Sequence, residues 1–208
     1  MNRKSKLIVF LLAIIAIGSS REGLIENYIG NTGKEGLLRA ALLKTFGESL
    51  SDKTELVIME DYSTWGFLMG EDPGEVATAW LNAGRGRSEE LQEAIQDFCQ
   101  MNLAGLEKKK VAGVSLKHQL ISVEEVSRMF PEEGDWNKSW ASFRNQFPGT
   151  IGITYISQPG YSKNGKLAVV YIAVTRGVLA ASGFTHVFEY VNGDWQEKEV
   201  SGGRSWIS

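Results

Sequence analysis

Two Asn-Gly pairs, Asn164-Gly165 and Asn192-Gly193, punctuate β-forming runs in the last third of the chain. Asn-Gly accepts the positive φ that a two-residue type I′ hairpin turn requires. The stretch from Thr150 to Ser208 therefore reads as closely spaced strands joined by short turns, which makes an antiparallel meander. The runs are Thr150–Ser157, stopped by Pro159-Gly160, then Leu167–Thr175, Gly183–Val191 and Asp194–Val200, with Trp206-Ile207 as a short fifth. Leu167–Thr175 is apolar on both faces, as in a central strand covered from two sides. In Gly183–Val191, Phe184, His186, Phe188 and Tyr190 share one face. Gly177–Ser182 reads as a small-residue turn.

A meander of this size needs cover on at least one face, and the helical patterns lie earlier in the chain. Glu35–Phe46 has leucines at 37, 38, 42 and 43 between charges, one apolar helical face ended by Gly47. Thr54–Glu60 reads as a strand, Asp61–Gly74 as a loop containing Trp65 and Phe67, Glu75–Asn82 as a short helix and Gly84–Arg87 as a joint. Ser88 caps a helix with acids in its first turn and a stripe of Leu91, Ile95, Phe98 and Met101. Lys108–Lys110 stands at or beyond its far end, where cations suit the dipole. Val114–Ile121 includes a strand, and Ser122 with Glu125 forms a capping box for a helix through Phe130. Asp135 or Asn137 then caps a helix carrying Trp136, Trp140, Phe143 and Phe147, closed by Pro148-Gly149. The expected architecture is α+β: N-terminal helices packed on a C-terminal antiparallel β-meander of four to five strands, in one domain over residues 35–208.

Residues 1–20 differ in kind. Asn2–Lys6 is a positive segment, Leu7–Gly18 an unbroken apolar run, and small residues follow, the layout of a secretory signal peptide. The run is shorter than the roughly 20 residues that comfortably span a bilayer, so cleavage is the first reading and an anchor over residues 7–18 the second. The expected location is periplasmic or secreted. Residues 21–34 read as a loose lead-in. Loss of residues 1–20 takes the net charge from −3 to −6. The chain has no basic stripe, which argues against nucleic acid as a partner. Membrane contact is expected only through the N-terminal segment, if it is retained.

Chemistry is sparse. Cys99 is the single cysteine, so no intramolecular disulfide and no thiolate-rich metal site can form, and its place in an amphipathic helix makes it a small buried hydrophobe. His118 and His186 fall on different strands without metal-ligand spacing. No nucleophile elbow, Walker loop or dinucleotide fingerprint is present. No cofactor and no metal are expected. Glu60-Asp61, at a strand end, are the remaining candidate acid–base groups.

Trp140-x-x-Phe143-x-x-x-Phe147-Pro148-Gly149, then Gly152, Gly160-Tyr161, Ala168–Tyr171, Gly193-Asp194-Trp195 and Trp206-Ile207-Ser208 together resemble a group of uncharacterised bacterial exported proteins. A looser likeness reaches Ile58–Asp61 and Leu120–Glu125, so the resemblance covers most of the chain after residue 35. It implies export and a shared fold, and brings no catalytic residue with it. Any disulfide that relatives hold near the turn after the central strand is absent here, where the chain reads Gly177–Ser182.

Two functions follow as expectations. One is an exported, non-enzymatic module that binds a protein, an envelope component or a small ligand, with Trp65 and Phe67 as contact residues. The other is a small hydrolase using Asp61 and Glu60 with His118 or His186.

Overall fold

A computed structural model describes residues 33, 35–50, 54–61, 88–102, 110–200 and 205–207. The expected leader, nearly all of the expected lead-in, the expected Trp65/Phe67 loop, the expected helix at 75–82 and the expected joint at 84–87 lie outside the described residues.

The described elements, in order, are helix α1 (residues 35–46), a 3-10 turn Gly47–Ser49, β1 (Glu55–Met59), α2 (Glu89–Met101), β2 (His118–Ile121), α3 (Val123–Met129), α4 (Trp136–Gln146), β3 (Thr150–Ile156), β4 (Gly160–Tyr161), β5 (Leu167–Gly177), β6 (Ala180–Val191), β7 (Asp194–Glu197) and β8 (Ser205–Ile207). They form an α+β fold around one mixed sheet of order β2-β1-β3-β5-β6-β7, with β4 on β5 and β8 on β6.

Two parts of the expected architecture need correction. The helices are interleaved with the strands rather than gathered at the N-terminus. The sheet is also not purely antiparallel: β1 runs parallel to both β2 and β3 and sits between them. The reason is visible in Leu56-Val57-Ile58-Met59, all buried. A strand apolar on both faces belongs inside a sheet rather than at its edge, the usual situation of parallel strands.

β5 is the doubly covered centre, with every residue from Leu167 to Val174 buried. Its even-numbered residues Ala168, Val170, Ile172 and Val174 pack with Leu37, Leu38, Ala41, Leu42 and Phe46 of α1. Its odd-numbered residues Leu167, Val169, Tyr171 and Ala173 pack with Leu91, Ile95 and Phe98 of α2. On that same face, Trp140 and Phe143 of α4 cover Val57, Met59, Ile121 and Ile153. Helices therefore lie on both sides of the sheet. Each fully buried Leu, Ile or Phe in these layers contributes about 1.5–3 kcal/mol relative to exposure.

Local signals set the element ends. Ser88 accepts from the Leu91 N–H, and Ser122 with Glu125 forms the full reciprocal capping box. Asp135 caps α4 through the N–H groups of Asn137 and Lys138. Asn192 and Gly193 both take positive φ, +53° and +94°, as their hairpin requires. The turn before β5 differs from expectation. Only Gly165 has positive φ, at +68°, and its N–H donates to the Ser162 carbonyl, so Lys163-Asn164 rather than Asn164-Gly165 is the central pair. The turn after β5 is also shorter than expected: β5 runs to Gly177, β6 starts at Ala180, and only Val178-Leu179 lie between.

α2 is fastened to the β3–β5 connection along its length. Tyr161 N–H donates to Asp97, Lys163 N–H to Glu93, and the Asn164 amide to Glu90 at 2.6 Å. At its C-terminus the buried Asn102 amide donates to the Phe98 and Gln158 carbonyls, and its oxygen accepts from the Gln158 N–H at 2.9 Å.

Candidate functional site

Glu60 and Asp61 close β1. The Glu60 N–H donates to the Ile121 carbonyl, and the Val111 N–H donates to the Glu60 carbonyl, each at 2.8 Å. This sets Lys110 beside the two acids, with Nζ 2.6 Å from Glu60 Oε1 and 3.1 Å from Asp61 Oδ1. The hydrogen bonds to Glu60 and then Asp61 raise the Lys110 pKa. Lys110 thus serves a strand end; the α2 last turn itself carries no basic residue.

Neither histidine joins these acids. His118 is in register with Leu56, at the opposite end of β1. Its Nδ1 stands 2.8 Å from the Leu116 carbonyl, which can only accept, so Nδ1 carries the proton. His186 is in register with Val170, across the sheet.

His186 instead has partners that sequence reasoning missed. It is 7% exposed, on the α1 side of β6 between Phe184 and Phe188. Its Nδ1 lies 3.0 Å from Glu197 Oε1, and its Nε2 lies 2.9 Å from Thr45 Oγ1 on α1. Lys44 pairs with the other oxygen of Glu197 at 2.5 Å. Burial pushes the His186 pKa down, against the opposing pull of Glu197. Burial pushes the Glu197 carboxyl up, but the hydrogen bonds from Lys44 and His186 outweigh it and hold the group below its ordinary range. With Nδ1–H on Glu197, Nε2 of the neutral ring competes with the Ala41 carbonyl for the single proton of the Thr45 hydroxyl.

Hydroxyl, imidazole and carboxylate in that order form the outline of a nucleophilic relay. The surroundings argue against such use. Thr45 lies in the last turn of α1, where carbonyls rather than N–H groups are left over, and that end of the dipole repels a developing oxyanion. Its hydroxyl also lies 2.9 Å from the Ala41 carbonyl. The row ties α1 to β6 and β7. No local pattern reveals it, since Thr45 and His186 are 141 residues apart. Among the described residues, no group of His, Cys, Asp and Glu could hold a metal ion. Cys99 is buried, and burial alone pushes its thiol up to about 12.

Among the described residues, the β5–β6 turn carries the most exposed large hydrophobic side chain. Leu179 is 85% exposed and Val178 48%. The guanidinium of Arg144, at the end of α4, donates to the Arg176 carbonyl at 3.0 Å, and that of Arg176 donates to Ser182 Oγ at 3.1 Å. Two exposed arginines therefore flank an apolar tip. A signal was available in the sequence: tight turns favour Gly, Asn, Asp, Pro and Ser, and Val-Leu has no local reason to occupy one. Trp65 and Phe67, the expected contact residues, lie outside the described residues.

No protein-family model matches the chain, nor does any curated protein or solved structure.

Proposed function

We propose that this protein is an exported, non-enzymatic interaction module whose contact surface includes the Val178-Leu179 tip. The observation that carries the reading is the exposure of these two adjacent apolar side chains at the closed end of the longest hairpin among the described residues. A Leu held almost wholly in water by a two-residue turn adds little to the fold and is suited to burial against a partner. Export is supported by the positive segment Asn2–Lys6 ahead of the apolar run Leu7–Gly18. The partner is a protein or another envelope component.

The hydrolase alternative asks for a histidine beside Glu60 or Asp61. Those acids are engaged by Lys110, and His186 is engaged by Thr45 and Glu197, so the specific geometry favours the binder.

Affinity capture from envelope extract tests the reading, with the wild-type chain compared with Val178→Ser/Leu179→Ser. A component retained by wild type and lost by the double variant supports it. Equal retention by both removes the tip from the contact surface.

A further inference from the structure

The charge around the tip narrows the partner. The chain as a whole carries −3, yet residues 136–188 contain five Lys and Arg and no Asp or Glu. Lys163 and Lys166 of that run lie at the far end of β5, where Lys163 is paired with Glu93. Arg144 and Arg176 lie at the tip, both exposed, with their described hydrogen bonds going to a carbonyl and a hydroxyl rather than to carboxylates. At this end of the sheet, the first acid of a described strand is Glu55 of β1, which is already paired with Lys117.

Resting on the interaction reading above, we infer that the Val178-Leu179 tip seats in the headgroup layer of an anionic bilayer, with Arg144 and Arg176 against lipid phosphates. The two features are complementary to such a surface in different ways. Two adjacent aliphatic side chains on a two-residue turn can enter the boundary of the acyl region with little unpaired backbone, because β5 and β6 pair as far as Gly177 and Ala180 and, at the one irregularity beside the turn, the Arg176 carbonyl accepts from Arg144. The guanidinium groups remain at phosphate depth, where each juxtamembrane cation adds attraction that fades within a Debye length. A two-residue apolar wedge is a weak anchor by itself, as single hydrophobic attachments generally are. It therefore acts as an orienting contact and sets which end of the sheet faces the membrane. This adds a contact to the one expected from residues 7–18. Among the described residues no helix is long and apolar enough to cross a membrane.

The experiment uses the full chain carrying Leu179→Cys labelled with a polarity-sensitive fluorophore. The labelling is selective because Cys99 is buried with its thiol pushed up to about 12. A second chain carries the label on Glu132→Cys, an exposed site in the turn before α4. Vesicles of pure phosphatidylglycerol and of pure phosphatidylcholine are compared. The expected result is a blue shift and quenching by lipid-borne nitroxides at position 179 only, on the anionic vesicles only. Arg176→Gln should weaken it about fivefold, the effect of one juxtamembrane cation, and high salt should weaken it further. A label at 179 that stays in water, or that responds equally to both lipids, overturns the inference. If it stays in water while the tip still captures an envelope component, the partner is a protein and only the lipid assignment fails. If neither response occurs, the interaction reading fails as well.

Discussion

Gly160 lies so close to Phe98 that a Cβ at that position would stand 2.1 Å from the Phe98 nitrogen and 2.3 Å from its Cα. The atoms in the way are helix backbone, which cannot rotate aside. β4 and α2 are therefore in backbone contact, and glycine is what permits it. Gly160→Ala is expected to cost about 3 kcal/mol through forced separation of the two elements, read as a lowered urea midpoint. A midpoint equal to wild type would mean that α2 does not sit on β4.

Asn102 caps the same helix one turn beyond Phe98. It is 3% exposed and satisfies both backbone groups of Gln158 as well as the Phe98 carbonyl. Asn102→Ala leaves those buried groups without their partner and is expected to cost about 2 kcal/mol. Hydrogen exchange should show faster opening of residues 157–162 than of β5.

The His186 row predicts a direction for pH dependence. Burial lowers the folded pKa of His186 from its ordinary 6.5, so the unfolded chain takes the proton first. The contribution of the neutral ring is complete above 6.5 and is lost as pH falls through the lower folded value. Glu197, also lowered from its ordinary 4.5, contributes above 4.5 and loses that contribution further down. The urea midpoint should therefore decline on acidification in two stages. His186→Gln, which keeps a hydrogen-bonding side chain but does not titrate, should remove the first stage and leave the second. Persistence of the first stage in that variant would place its origin elsewhere.

The tip should be dispensable for folding. Neither Val178 nor Leu179 belongs to the buried clusters of the described fold, so Val178→Ser/Leu179→Ser should change stability, read from the urea midpoint, by less than about 0.5 kcal/mol. A larger loss would mean that the tip packs on part of this chain.

The sequence disclosed what depends on neighbours a few residues apart. The capping box of Ser122 and Glu125, the Asp135 cap and the Asn192-Gly193 hairpin follow from local hydrogen bonding and φ preference. The unbroken apolar run of β5 disclosed its double cover for the same reason. Strand partnership was not disclosed. Leu56–Met59 announces a buried strand, but nothing within it says that its neighbours are His118–Ile121 and Thr150–Ile156. The same holds for the candidate site. Glu60, Asp61, His118 and His186 were all visible as residue types, while their actual partners (Lys110, the Leu116 carbonyl, and Thr45 with Glu197) were chosen by the assembled sheet. The apolar pair Val178-Leu179 is obscured in the sequence by Gly177, Ala180, Ala181 and Ser182, whose small side chains dominate the composition of the turn.

Whether the β5–β6 tip meets a partner can be read in cells by photo-crosslinking, with the reactive group placed at Leu179 in one strain and at Glu132 in another. An adduct, whether to protein or to lipid, is expected from position 179 and none from position 132. No adduct from 179, or equal adducts from both positions, would contradict the proposed contact.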